Sequence, residues 1–149
     1  MAAQWTNPAA CNCLALRQAA RHVSQFYDQF LAPHGLRNTQ YSILARLRRR
    51  GAMSINALAA ELVMDRTTLG RNILPLQREG LISISPGLAD RRSKELRLTK
   101  AGAARCRAAL KAWREAQAHF EAAFGCKRAK ELRALLHGVA INDELAVAA

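Results

Sequence analysis

Apolar side chains recur every three or four residues along most of the chain, a spacing that stacks them on one face of a helix. The first stretch carries Leu16, Val23 and Phe30 and ends before the helix breakers Pro33 and Gly35. Hydroxyl residues precede several later stretches, where their side chains can accept a free backbone N–H. The pattern predicts helices at 9–32, from the cap Thr39 to the stop Gly51, at 55–62 after Ser54, at 66–79, at 100–123 after Thr99, and at 128–145.

The spacing changes to strict alternation in two short segments between the fourth and fifth helices. The segments LISIS (81–85) and KELRLT (94–99) alternate apolar and polar residues, which predicts two strands joined by a turn. We expect Pro75 to bend the fourth helix because it removes a backbone donor. The element order predicts a mainly α fold with a small β-hairpin wing, that is, a winged helix-turn-helix with flanking N- and C-terminal helices.

Size and composition are consistent with one domain, 1–149. The chain is half apolar, so global disorder is unfavourable. It has no apolar run near the ~20 residues of a membrane helix, and its first residues lack the basic start and apolar stretch of a signal peptide. The sequence therefore predicts a cytoplasmic protein that does not enter a membrane.

Positive charge is concentrated in the middle of the chain. The formal net charge is +12, and residues 37–100 contain 13 basic and 5 acidic residues, a net of +8. Such a concentration favours a polyanionic partner, either nucleic acid or an acidic membrane surface. A membrane binder would set its basic residues opposite a strongly apolar helix face. Here they lie on short helices and a hairpin, which favours nucleic acid.

The helix-turn-helix and the wing contain the candidate DNA-binding residues. The second helix of such a motif offers its N-terminal side chains to base edges in the major groove, where Arg pairs with guanine and Asn with adenine. An arginine at a hairpin tip can enter a narrow minor groove, and we expect Asp90 to orient the Arg92 guanidinium there. The alternative is an ordinary solvated surface. The candidates are Arg66, Thr67, Thr68, Arg71 and Asn72 on the helix, and Asp90, Arg91, Arg92 and Lys94 on the wing.

The segment 54–102 resembles the winged helix-turn-helix of MarR-type bacterial transcription regulators. The residues that carry the resemblance are Asp90, Arg91 and Arg92 in the wing and RLTKAG (97–102) at its exit. The resemblance implies a homodimer that binds double-stranded DNA at a palindromic operator. It assigns 37–99 to the winged helix-turn-helix and 9–32 and 100–145 to dimerisation helices. It also implies repression that a small molecule or an oxidant relieves.

Members of this family often bind aromatic or phenolic acids between the dimerisation helices and the DNA-binding head. The resemblance makes a small aromatic acid a possible effector here. The alternative is that most candidate residues are ordinary core or interface residues. The candidates are Trp5, His22, Phe26, Tyr27, His34, Tyr41 and Arg46.

Redox control is a second possibility. A subset of the family senses organic hydroperoxides through a cysteine near the start of the first helix, with tyrosines hydrogen-bonded to its thiolate. Cys13 with Tyr27 and Tyr41 resembles that set, although Arg17 stands where one of its tyrosines is expected. Cys126 of a second subunit would be the resolving partner. The alternative is that Cys13 is an unreactive thiol at the dimer interface and that all four cysteines are reduced, as is usual in a cytosolic protein. A metal site at Cys11 and Cys13, with His22, lacks further ligands, so we expect no metal and no cofactor.

An enzyme is not expected. The sequence has no His-Glu-x-x-His, no phosphate-binding glycine-rich loop and no Gly-x-Ser-x-Gly. A winged-helix module that binds another protein remains an alternative. Salt separates the two, because phosphate contacts release counterions and make DNA binding strongly salt-dependent.

Overall fold

The computed structural model describes residues 7–145. The chain forms six helices and three strands over this range. Single 3₁₀ turns lie at Pro8–Ala10, Ala32–His34 and Asp143–Leu145. In chain order the main elements are α1 (Asn12–Leu31), α2 (Asn38–Arg50), β1 (Met53–Ser54), α3 (Ile55–Glu61), α4 (Arg66–Arg78), β2 (Ile82–Pro86), β3 (Lys94–Leu98), α5 (Lys100–Phe124) and α6 (Cys126–Ala140). The predicted fold class, mainly α with a small β-hairpin wing, is confirmed.

Local side-chain caps begin α3 and α5. The Ser54 hydroxyl accepts the Ala57 N–H at 3.1 Å, and the Thr99 hydroxyl accepts the Gly102 N–H at 3.0 Å. Both caps were predicted, because a hydroxyl one residue before a helix satisfies a donor that has no partner within the helix.

The predicted cap at Thr39 is wrong. Helix α2 begins at Asn38, and its N-cap residue is Arg37, two residues before Thr39. The Asn38 N–H donates to the Asp28 carboxylate at 2.6 Å, and the Arg37 N–H donates to the Gln40 side chain at 3.0 Å. A carboxylate from α1 thus supplies the acceptor that we had expected from the Thr39 hydroxyl.

The β-sheet has three strands in the order β1-β3-β2, not the predicted two. The hairpin pairs β2 with β3 antiparallel, from Ile82 opposite Leu98 to Pro86 opposite Lys94. Strand β1 pairs with the other edge of β3 and sets Met53 opposite Leu96. Two residues are too few to show an alternating pattern, so β1 was missed.

The core lies where α2, α4 and the sheet meet α5. Leu31, Ile43, Leu44, Leu58, Leu69, Leu76, Leu81 and Leu96 are all essentially inaccessible to solvent and belong to one cluster. The α4 positions that face this core are Leu69, Ile73 and Leu76, as their spacing predicts. Helix α4 continues through Pro75 to Arg78.

The long helices α1 and α5 pack together, and α6 packs back on α5. The last helix differs from its predicted span 128–145: it begins at Cys126 and ends at Ala140, and Leu145 lies in a separate 3₁₀ turn. Within residues 7–145, no helix is both long and apolar enough to cross a membrane.

Candidate nucleic-acid interface

The first turn of α4 is fixed by Asp65, its N-cap residue. The Asp65 carboxylate accepts the Thr68 N–H at 2.8 Å and the Thr68 hydroxyl at 2.6 Å. These hydrogen bonds stabilise the ionised form and lower the pKa of Asp65. The Thr68 hydroxyl is therefore occupied in the free protein, although the residue itself is exposed.

The predicted base-reading residues of α4 differ in how free their polar groups are. Arg66, Thr67 and Arg71 are exposed. Asn72 is half-buried, and its side-chain amide donates to the Thr68 carbonyl at 2.8 Å. A base contact by Asn72 through that amide proton would have to replace this bond, so Arg66 and Arg71 are the more readily available donors.

The wing consists of β2, β3 and the turn 87–93, and hydrogen bonds within the turn fix its shape. The Gly87 N–H donates to the Ser93 carbonyl at 2.8 Å. The Ser93 N–H and hydroxyl both donate to the Asp90 carbonyl, at 3.0 and 2.7 Å. Gly87 itself is buried, and a Cβ there would lie 2.8 Å from the Asp90 carbonyl oxygen and would overlap the Ser93 hydroxyl. The turn is thus tightly packed around a glycine.

The Asp90 side chain has a different partner from the one expected. Its carboxylate accepts the backbone N–H of Arg92 at 2.9 Å. The ion pairs found within residues 7–145 do not include one between Asp90 and the Arg92 guanidinium. A carboxylate two residues before an N–H closes a compact local ring, which leaves the guanidinium free. Asp90 therefore shapes the turn and does not orient the arginine side chain.

Five cations define what we call the basic surface: Arg66 and Arg71 on α4, and Arg91, Arg92 and Lys94 on the wing. All five are exposed, and over the described range none is in an ion pair. The wing residue Arg97, by contrast, pairs with Glu95 at 2.8 Å. The unpaired cations leave this surface available for an anionic partner.

A groove of about 520 Å³ separates α4 from the wing. Its lining includes the apolar residues Ile73, Leu74 and Ile84 and the basic residues Arg91, Arg92 and Lys94. Helix α4 also contacts β2, so the helix and the wing together form the groove. Leu74 and, at the wing tip, Leu88 are exposed apolar residues that the prediction from sequence did not include. The only sequence signal for Leu88 is a large apolar residue inside a polar turn.

Comparison with known proteins identifies the family. The family model described as MarR family matches residues 36–94. The DNA complex of the M. tuberculosis transcriptional regulator MosR is 36% identical in sequence, with a TM-score of 0.79, over 87% of this chain and 93% of that one. The chain belongs to the MarR family. This places it among DNA-binding transcriptional regulators with a winged helix-turn-helix.

Two solved structures of lower sequence identity share the fold. BpsR of Bordetella bronchiseptica, a protein whose DNA binding is regulated by 6-hydroxynicotinic acid, is 21% identical with a TM-score of 0.81, covering 92% of this chain and 98% of that one. A cysteine-to-serine mutant of E. coli MarR, complexed with operator DNA, is 20% identical with a TM-score of 0.75, over 84% and 90% of the two chains. A search among curated proteins gave no match.

Two of the candidate effector residues, Tyr27 and Tyr41, have contacts within the fold. The Tyr27 hydroxyl donates to the Gln117 side chain at 2.5 Å, and Tyr41 stacks on Trp113 with ring centres 6.1 Å apart. Burial raises the pKa of both tyrosines. These two rings are therefore held in contacts within the fold.

The remaining described effector candidates are spread over α1, the 3₁₀ turn Ala32–His34 and α2. Arg46 pairs with Glu61 at 2.6 Å, and Phe26 meets Phe30 edge-on. His22 is exposed, and the backbone carbonyl of His34 accepts a hydrogen bond from Arg105. Neither the groove beside α4 nor the depression at the start of α1 is lined by any of these candidates. Trp5 lies outside the described residues.

The cysteines occupy two kinds of environment. Cys11 is the N-cap residue of α1, and its sulfur accepts the Leu14 N–H at 3.4 Å. Cys11 and Cys13 are exposed and share a depression of about 360 Å³ with Arg17 and Arg21. Cys126 is exposed at the start of α6, whereas Cys106 is buried in the core, which raises its pKa.

The tyrosines expected around Cys13 have other partners. Among the hydrogen bonds of residues 7–145, the Tyr27 hydroxyl is bonded to Gln117, and neither Tyr27 nor Tyr41 is bonded to Cys13. The described part of the chain also contains no group of three or more His, Cys, Asp or Glu side chains arranged to hold a metal ion.

Proposed function

We propose that this MarR-family protein is a homodimeric repressor that binds a palindromic operator in double-stranded DNA and is released by a small aromatic ligand or by oxidation. The basic surface is the observation that carries the proposal. Five exposed cations without an acidic partner, on the helix and the wing of one head, suit the phosphates and base edges of a duplex. Such a regulator would act in the cytoplasm, with its DNA.

The surface of the terminal helices supports the homodimer. Between residues 7 and 145, ten large aliphatic residues are exposed, and seven of them lie near the start of α1 or in and after the second half of α6. One of the seven, Leu135, is 71% exposed. The other six are Leu14, Leu16, Leu136, Val139, Ile141 and Leu145. A second copy that packs its own terminal helices against these would bury both sets, because a twofold interface uses the same surface twice. This is the role proposed for 9–32 and 100–145.

The dimer in turn explains the proposed palindrome. A twofold axis between the subunits would present two copies of the head 37–99 to the duplex. The two α4 helices would then enter successive major grooves on one side of the DNA, about 34–36 Å apart. Each half-site would have the same sequence on opposite strands.

We assign different roles to the members of the basic surface. Arg71 and Arg66 would read base edges from α4, with Thr67, Thr68 and Asn72 beside them. Arg92 would enter the minor groove from a turn shaped by Asp90, while Arg91 and Lys94 would bind phosphates. Base contacts confer sequence preference, whereas phosphate contacts confer affinity for any duplex.

Fluorescence anisotropy at several salt concentrations tests the DNA-binding surface. Arg92→Ala is expected to weaken operator binding by about 1–3 kcal/mol and leave the dimer intact. Arg78→Ala removes one charge from an exposed arginine at the end of α4, outside the basic surface and the proposed dimerisation helices, and is the matched control. Unchanged affinity for Arg92→Ala would exclude the wing. A DNA affinity that does not fall as the salt concentration rises would favour the alternative function, a winged-helix module that binds another protein.

A comparison of two substitutions tests the division of roles. Arg71→Ala should reduce the ratio of operator to random-DNA affinity more than Lys94→Ala does. Lys94→Ala should instead weaken both affinities together and flatten the salt dependence. Equal losses on operator and random DNA for Arg71→Ala would contradict a base-reading role.

An aromatic acid is the first proposed effector. The regulation of the Bordetella relative by 6-hydroxynicotinic acid supports this chemical class. The candidates His22, Phe26, Tyr27, Tyr41 and Arg46 would line a site only after the contacts of Tyr27 and Arg46 change or a second subunit adds to it. A thermal-shift screen of aromatic acids, followed by release of bound DNA, tests this. No stabilisation by any acid would argue against it.

Oxidation is the second proposed signal, and the exposure of Cys13 beside Arg17 and Arg21 supports it. The Cys13 thiol would give two electrons to an organic hydroperoxide, yielding a sulfenic acid and an alcohol. The thiol of Cys126 from a second subunit would then displace the sulfenic oxygen as water and form a disulfide.

Peroxide treatment of bound complexes tests the redox proposal. Cys13→Ser should abolish both release from DNA and a disulfide-linked dimer on a non-reducing gel. Replacing the buried Cys106 by Ala should leave both unchanged. Release that persists in Cys13→Ser would exclude Cys13 as the sensor.

A further inference from the structure

The tip of the wing carries an apolar side chain that the fold does not use. Leu88 is 88% exposed, the highest exposed fraction among the large aliphatic residues in the described part of the chain. A single exposed leucine on a general surface needs no explanation. Leu88 differs by its place: it lies in a turn between two strands, with the exposed cations Arg91 and Arg92 three and four residues further on.

The turn that presents Leu88 is held in one shape. Gly87 is bonded through its N–H to Ser93, and Ser93 is bonded to the Asp90 carbonyl. The backbone N–H of Arg92 is bonded to the Asp90 side chain. The side chain of Leu88 is therefore carried on an ordered loop, so little backbone entropy would be lost when a partner contacts it.

We propose that Leu88 is an apolar wedge that enters the DNA minor groove beside Arg92 and selects an easily deformed base step at the outer edge of the operator. The inference rests on the proposed function, in which the wing lies in the minor groove. Charge complementarity favours DNA as the partner of the wing tip, because the nearby residues Arg91, Arg92 and Lys94 are exposed and have no acidic partner in the described part of the chain. Proteins that bind the minor groove use basic and amide side chains there and frequently insert an apolar side chain between base steps, which partially unstacks them.

The wedge predicts a form of specificity that hydrogen bonds do not provide. The minor groove distinguishes base pairs poorly through its donors and acceptors. Partial unstacking costs least at pyrimidine–purine steps such as TA and CA, so a wedge prefers them even without a polar contact. Arg92 alone would instead favour a narrow, stiff A-tract. The two side chains thus predict different flanking sequences.

Parallel selection of duplexes from a random pool tests the proposal. The wild-type protein should enrich a pyrimidine–purine step on each outer flank of the inverted repeat. Leu88→Ala should lose that step and keep the central bases that α4 reads. The affinity of Leu88→Ala for the duplex that the wild-type protein selects should fall about tenfold. This is close to the effect of losing the apolar contacts of one leucine side chain. Leu88→Met should retain the step, and Ala89→Ser is the control in the same turn.

The possible results distinguish a failure of the Leu88 proposal from a failure of the proposed function. Because Leu88 is exposed, Leu88→Ala should unfold at the wild-type temperature, so a loss of affinity would not reflect misfolding. If Leu88→Ala selects the same flanks with the same affinity, the wedge is wrong and the proposed function stands. If the wild-type protein selects no duplex, the proposed function and the wedge both fail. If Leu88→Ala binds DNA normally but loses binding to another protein, the wing tip serves a protein partner and the wedge is overturned.

Discussion

Gly102 is expected to be the glycine least tolerant of a side chain, because it lies where α5 meets the start of β2. A Cβ at Gly102 would overlap the Leu81 carbonyl oxygen and would lie 2.9 Å from the Leu81 carbonyl carbon and 2.8 Å from Leu98 Cδ1. Hydrogen bonds hold the two segments together: the Thr99 N–H donates to the Leu81 carbonyl at 3.1 Å, and the Thr99 hydroxyl donates to the Gly80 carbonyl at 2.6 Å. The overlap is with backbone, so a rotamer change cannot relieve it.

Two opposing effects determine how much Gly102→Ala changes the free energy of unfolding. Overpacking a tight contact costs about 1–3 kcal/mol, and the upper part of that range applies when backbone must move. Alanine in a helix recovers roughly 1 kcal/mol relative to glycine. The free energy of unfolding should therefore fall by about 2 kcal/mol.

Urea denaturation followed by far-UV circular dichroism measures this difference. The proposed dimer makes the midpoint depend on protein concentration, so all variants are compared at one concentration. Gly70→Ala is the matched control, because Gly70 also lies within a helix and a Cβ there would meet no atom within 4 Å. It should gain about 1 kcal/mol. If Gly102→Ala were as stable as the wild type, the tight junction described above would be wrong.

Three further predictions follow from local geometry. Val63 has φ +51°, a left-handed conformation that is unfavourable for a β-branched residue. Thermal denaturation should therefore show that Val63→Gly raises the free energy of unfolding by about 0.5–1 kcal/mol. A lower free energy of unfolding would contradict backbone strain at this position. Asp90→Ala removes the acceptor of the Arg92 N–H, so operator affinity in a gel-shift titration should fall although the net positive charge rises; tighter binding would contradict a shaping role for Asp90. The pKa of Asp65 is lowered in the folded state, so its contribution to stability is present above the unfolded value of 3.8 and is lost as pH falls through the folded pKa. As the pH is lowered below about 4, the free energy of unfolding of Asp65→Asn should fall less than that of the wild type. An identical fall in both proteins would refute this.

The sequence predicted what depends on neighbours along the chain. Helix α4 and the hairpin were found nearly to the residue, because a period of three to four and a period of two each persisted over enough positions. The inward side chains Leu69, Ile73 and Leu76 follow from the same spacing. The caps Ser54 and Thr99 act on residues three positions away and were equally visible.

Features that depend on contacts distant in sequence were missed. Asp28 caps α2 across a loop, which displaced the local candidate Thr39. The two residues of β1 form a strand only because β3 is there to pair with them. The predicted partner of Asp90 is the Arg92 guanidinium, whereas the observed partner is the Arg92 backbone N–H. Which of the two groups the carboxylate reaches depends on the shape of the turn.

The candidate site was predictable in part for the same reason. The basic residues of α4 and the wing can be read from the sequence because their exposure follows from the helix and hairpin patterns. The effector candidates could not be judged, since the contacts that hold Tyr27 and Tyr41 come from Gln117 and Trp113 on α5, far along the chain.

Selection of duplexes from a random-sequence pool by the purified protein tests the central claim most directly. Paired heads on a twofold axis predict an enriched inverted repeat whose half-site centres lie about 10–10.5 base pairs apart, bound by two protein chains per duplex. A single unrepeated motif, or a pool with no enrichment even at low salt, would contradict the account.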